Sequence, residues 1–219
     1  MNTLDVTIDT THKVLTERLH LAAAGTSDGA APRDVQQYAD TFLASTCRHM
    51  CAANAVLAPA ARQWLPDGPE SSRRFHRHCR RLDLALRQVK AKMYGSAYAV
   101  HRSWADVWDD ARTEFTATTT LERRLVDSLV TTIDPRASDA LADRLYKMEV
   151  KAPTRPHPYA PRTGASGLVA RLMWARADRV WDGLEGRTLP APVRGRARPQ
   201  GGPMTRYVMG NPVFHVEGT

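Results

Sequence analysis

The sequence predicts an all-α fold, and three observations lead there. Apolar residues recur at alternating four- and three-residue spacing through four successive segments, which gathers each set on one stripe of a helix. No proline interrupts the chain between Pro69 and Pro135, whereas ten of the fourteen fall at Pro135 or later, so the middle is free to form long helices. No segment alternates apolar and polar residues with the period of a half-buried strand. Four amphipathic segments joined by connections of moderate length make the pattern of an up-and-down four-helix bundle.

The elements follow in order. A first pattern runs His12, Leu15, Leu19, Ala22 and stops at Gly25. Asp34 opens a second, with Tyr38, Phe42, Ser45, His49, Ala52 and Val56 on its stripe, bent by Pro59 and ended by Pro66 and Gly68. The third runs Phe75, Cys79, Leu82, Leu86, Val89, Met93 and ends at Gly95. The fourth places Trp104, Trp108, Ala111, Phe115, Thr118, Glu122, Leu125 and Leu129 on one face. Ala137 to Val150 fits a further helix, and Ala152 to Pro161 makes an extended strap stiffened by proline. A last helix, Gly167 to Leu184, gathers Ala170, Met173, Ala177, Val180, Trp181 and Leu184 on one face, expected to pack on the bundle. The organisation is therefore a bundle over residues 10–134, a helical extension and strap packed on it over 135–185, and a basic, mostly flexible tail over 186–219.

With 219 residues, 42% of them hydrophobic, the chain can bury one sizeable core without staples. Cys47, Cys51 and Cys79 form no CxxC pair and no zinc pattern. An odd number of cysteines without a secretion signal predicts reduced thiols in the cytoplasm. No run approaches the roughly 18 apolar residues of a membrane helix, so no membrane partner is expected. The formal charge of +8 comes almost entirely from residues 71–92, where eight Arg and Lys stand against Asp83 alone. Such a face suits an acidic protein or a nucleic acid. Without a nucleic-acid motif or interleaved aromatics for base stacking, a solvated helix exterior is the simpler expectation.

The chemistry lies in the polar residues on the apolar stripes: His12, His49, Cys79, and Thr118 with Glu122. An ionised Glu facing a helical interior costs several kcal/mol unless it is paired, protonated or bound to a cation. Glu122 is therefore the residue that best marks a site, and His and carboxylate side chains converging from facing helices are how bundles build metal sites. The plainer alternative puts Glu122 at the edge of the stripe, reaching Arg123, Arg124 or solvent. Cys47 and Cys51 share a helix face at i, i+4 but find no third ligand, and His157 in the strap is expected to anchor that loop.

The segment from His49 through Met, Cys, Ala, Ala, Asn, Ala, Val, Leu and Ala to Pro59 resembles the second helix of hemerythrin-like, or HHE cation-binding, domains. In that family a His is followed four residues later by Glu and ten later by Pro. Thr118 to Glu122 sits where the family's last HxxxE falls, and the Lys92-Met-Tyr-Gly95 helix end and the strap at 152–161 resemble an actinobacterial branch. The resemblance, over roughly residues 10–185, implies a four-helix bundle holding two non-haem irons through five His and two bridging carboxylates. Such a centre handles oxygen, nitric oxide or peroxide. This chain departs from it: Ala53 stands at the first carboxylate position, Thr118 at the last histidine and Cys79 at the inward position of the third helix. His49 and Glu122 match, and His12 is a candidate ligand from the first helix.

The expectation is a hemerythrin-like bundle with a degraded di-iron site, holding no metal or at most one iron through His12, His49 and Glu122. It would act as a non-catalytic binding or regulatory module. The alternatives are an iron protein of unusual ligation that binds or senses oxygen, nitric oxide or peroxide, and a mononuclear iron oxidase.

Overall fold

The computed structural model describes residues 2–26, 32–96, 101–161, 164–184 and 189–193. Among them the chain forms six helices and no strand: α1 (Thr3–Gly25), α2 (Pro32–Trp64), α3 (Gly68–Met93), α4 (Trp104–Thr132), α5 (Pro135–Lys151) and α6 (Gly164–Leu184). The boundaries have local causes. Asn2 caps α1 by accepting from the Leu4 amide at 3.0 Å, and the α1 pattern begins nine residues before His12, where Leu4 and Ile8 are already buried. Ser103 and Asp106 form a reciprocal capping box at α4. Asp134 caps α5, with Pro135 in the first turn where its missing N–H costs nothing.

The turn from α2 to α3 is short because of Gly68. A Cβ there would stand 2.0 Å from the Ala61 carbonyl oxygen, so only glycine lets α3 start directly against the last turns of α2. Gly95 adopts φ +66° just after α3, the left-handed conformation that ends helices.

Helix α2 is central, in contact with α1, α3, α4 and α5; α4 also packs on α1 and α3, and α5 on α1. One continuous core results, with Phe42, Phe75, Leu82, Leu86 and Leu129 fully buried. On the four stripes predicted for α1 to α4, Tyr38 is exposed and His12, Met93 and Trp104 are half-buried.

Helix α6 corrects the sequence reading. Met173, Val180, Trp181 and Leu184, expected on its packed face, are exposed, while Gly167, Ala175, Asp178 and Asp182 are buried. The strap decides this. Asp178 Oδ2 accepts from the backbone amides of Thr154 at 2.8 Å and Arg155 at 2.9 Å. Asp182 accepts from the Thr154 hydroxyl at 2.7 Å and the Arg155 guanidinium at 3.3 Å. The strap amides find their acceptors on α6, and the carboxylate edge of that helix turns inward to meet them. Within the expected tail, the Pro190 carbonyl accepts from Arg48 of α2 at 2.6 Å. Tyr207, Val208, Val213 and Phe214 lie outside the described residues.

Candidate metal centre

Four ionisable side chains from four helices meet in the core. His12 follows Ile8 by four residues and precedes Leu15 by three, which sets it on the inward face of α1. His49 lies between the buried Ser45 and Ala52 of α2, and Glu122 between Thr118 and Leu125 of α4. The fourth is Glu149 of α5, four residues after Leu145 and eight after Leu141, on the buried stripe of that helix.

Their geometry is convergent. Glu122 Oε2 lies 3.0 Å from His12 Nε2 and 3.2 Å from His49 Nε2. On the opposite edge of the His49 ring, Nδ1 lies 2.6 Å from Glu149 Oε1. The two imidazoles meet edge to face at 86°, with centroids 5.6 Å apart. Glu122 is wholly buried and His49 is 1% exposed, whereas the His12 side chain is 16% exposed.

Burial alone would lower the His49 pKa and raise that of Glu122; their attraction for each other and their hydrogen bonds overrule it. His49, between two carboxylates, is pushed up to about 10. Glu122, between two imidazoles, is pushed down to about 2. With an acceptor at each nitrogen, metal-free His49 donates from both and is an imidazolium.

The same arrangement suits a cation. One donor atom each from His12, His49 and Glu122 lies within 4.8 Å of the others. At roughly 2.1 Å from a transition metal, neighbouring ligand atoms stand about 3.0–3.4 Å apart, the range in which both imidazole–carboxylate contacts fall. Glu122 Oε1 is buried without a hydrogen-bond partner among the described residues, an acceptor that a cation would satisfy. Glu149 on the far nitrogen of His49 would hold that ring's Nε2 lone pair toward the ion, the common outer-shell partner of a ligating histidine.

The three residues singled out from the sequence thus come together, while their neighbours do other things. Cys79 and Thr118 are buried as expected, but the Thr118 hydroxyl donates to its own helix at the Glu114 carbonyl, 2.7 Å away. Ala53 is buried and offers no donor. Arg123 bonds to Asp5 and Asp9 across α1 and to Asp127 on α4, so it does not draw Glu122 outward. His157 lies 3.2 Å from Asp178 and stacks on Trp174, anchoring the strap to α6. Glu149 was not anticipated, although its signal was the one that exposed Glu122: a carboxylate at helical spacing on an apolar stripe.

No protein-family model, no curated protein and no solved structure matches this chain.

Proposed function

We propose that this chain is a hemerythrin-like four-helix-bundle protein whose interior holds one divalent transition-metal ion, with His12, His49 and Glu122 as ligands, and that it works as a binding or regulatory module. The observation supporting this is the donor set itself: two imidazole Nε2 atoms and a carboxylate converge in the core, with one carboxylate oxygen unpartnered among the described residues. Two nitrogens and one oxygen suit iron(II) and its neighbours. When bound, such an ion would keep coordination positions for a small exogenous ligand such as oxygen, nitric oxide or peroxide. The chain's own part is to hold the ligands apart from water and to keep the His49 proton on Nδ1, where Glu149 accepts it.

Two features favour one ion over two. Ala53 removes a carboxylate that would bridge and neutralise a pair. Glu149, the second buried carboxylate, lies on the Nδ1 side of His49, away from the Nε2 atoms facing Glu122. The reading includes a cytoplasmic location, in keeping with three cysteines outside any disulfide. Among the described residues no helix is long and apolar enough to cross a membrane.

The test is metal analysis of protein purified without chelator, with titration of the stripped protein by iron(II) and cobalt(II). One equivalent per chain is expected, lost in His49→Ala and in Glu122→Gln. Glu149→Gln should weaken affinity about 10- to 100-fold without abolishing it. Two equivalents with an oxo-bridge absorption band would replace this reading with a di-iron one. No binding, with a melting temperature indifferent to chelator, would leave a metal-free charge cluster.

A further inference from the structure

The end of α3, the strap and the first half of α6 enclose a groove of about 680 Å³, lined by none of the four residues of the cluster. Its wall holds three cations, Arg87, Lys90 and Arg155, and three aromatic rings, Tyr94, Tyr159 and Trp174, with no carboxylate among the described lining residues. All three rings are well exposed, Tyr159 at 69%, Tyr94 at 53% and Trp174 at 42%. The side chains are already paired in a way that keeps charge beside ring faces. The Arg87 guanidinium lies 5.4 Å from the centre of the Tyr159 ring, and Lys90 Nζ 5.8 Å from that of Tyr94. His157 is stacked on Trp174 at 4.3 Å, with an angle of 21° between the planes.

These features select a ligand chemistry. A cavity of this size fits a small molecule. Cations without carboxylates call for an anion, and exposed flat rings call for a flat partner. An apolar ligand would leave the cations unused, and an inorganic anion would leave the rings unused. Arg155 is bound to Asp182 and Arg87 is exposed at the groove, so an incoming anion meets Arg87, with Lys90 one turn along the same wall. We propose that the groove binds a nucleotide, with its base against Tyr159 and Trp174 and its phosphate against Arg87 and Lys90. The shared chemistry, phosphate plus base, is offered by a free nucleotide and by a single nucleic-acid strand. The basic helix α3 thereby acquires the aromatic partners that its own sequence lacks, brought from the strap and α6.

The full-length chain is titrated with AMP, ATP, adenosine, pyrophosphate and a short single-stranded oligonucleotide, by calorimetry and by tryptophan fluorescence, with Trp174→Phe assigning the quenching signal. Saturable binding of a nucleotide or the strand is expected, weaker at higher salt. Tyr159→Ala and the pair Arg87→Gln with Lys90→Gln should each weaken it by about tenfold. Tyr159 and Arg87 are exposed, so Tyr159→Ala and Arg87→Gln alone should melt with the wild type, which separates lost binding from lost fold. AMP or ATP binding tighter than the strand assigns the free nucleotide, and the reverse assigns the strand; either supports the proposal. Absence of saturable binding by any nucleotide or strand would overturn it. So would pyrophosphate binding as tightly as ATP with no loss in Tyr159→Ala, since charge alone would then suffice.

Discussion

Two groups of buried carboxylates stabilise this molecule, and they are satisfied in opposite ways. Asp178 and Asp182 accept mainly from backbone amides, a hydroxyl and a guanidinium at fixed positions in the strap, with the strap's His157 also beside Asp178. Among the described residues, Glu122 and Glu149 accept only from imidazoles, groups that can lose a proton or change partner. The first group is a clamp, because apart from the His157 imidazole beside Asp178 its donors are amides, a hydroxyl and a guanidinium, which neither bind a metal nor titrate near neutral pH. The second is a candidate site, because the nitrogen atoms that bond Glu122 are those that would ligate an ion. Burial of a carboxylate therefore does not distinguish structure from function; the chemistry of the groups that satisfy it does.

The largest expected effect comes from breaking the second group. In metal-free protein, Glu122→Gln keeps the shape but removes the charge facing His49, and should cost about 3–5 kcal/mol of stability by leaving a buried imidazolium half-compensated. Chemical denaturation of the stripped protein measures it. A loss under 1 kcal/mol would mean that the carboxylate is not ionised against His49.

The clamp should respond less and differently. Asp178→Ala leaves two strap amides without their acceptor, at about 1–3 kcal/mol. Faster hydrogen exchange at Thr154 and Arg155 should accompany the loss. The metal content of the protein should stay unchanged, and a fall in it would tie the two regions together.

Dependence on pH sharpens the contrast further. The raised His49 pKa gives stability that is full below 6.5 and fades as pH rises through about 10. The lowered Glu122 pKa gives stability that is full above 4.5 and is lost as pH falls through about 2. The gap in stability between stripped wild type and Glu122→Gln should therefore be widest between pH 4.5 and 6.5 and narrow on both sides. A gap that does not change with pH would contradict the ionic pairing. Metal affinity should rise with pH over the neutral range, because His49 must give up its Nε2 proton to ligate.

The smallest effect is expected on the solvated face of α3. Arg73 and Arg77 are 64% and 63% exposed, both beside Glu70. Reversing both to Glu should barely move the melting temperature, as exposed pairs contribute little. It should also leave nucleotide binding intact, since neither residue lines the groove.

Much of the fold was legible because helical periodicity is a local property. The stripes through Phe75, Cys79 and Leu82, and through Phe115, Glu122 and Leu129, could be read without knowing what they faced, and all six residues are buried. Glu122 stood out by the same reasoning, as a charge where apolar residues were expected. Glu149 lay on an equally regular stripe, yet nothing in the sequence said that α5 would lie against α2 with Glu149 beside His49.

Helix α6 shows the limit most clearly. Its apolar pattern is amphipathic, and periodicity alone predicts Met173, Val180 and Leu184 inside. Orientation was decided instead by the hydrogen-bonding needs of the Thr154 and Arg155 amides, groups common to every residue and therefore silent in sequence. The groove beside α3 is of the same kind, its rings arriving from Tyr159 and Trp174, far along the chain. By itself the sequence determined that the chain is helical, placed most of the buried stripes of α1 to α4 and marked Glu122 as a charge on one of them, because these follow from spacing within one helix. Only the tertiary structure decided which histidines meet Glu122, that Glu149 holds His49, and which face of α6 turns outward, because contacts between helices depend on three-dimensional packing that spacing along the chain does not encode.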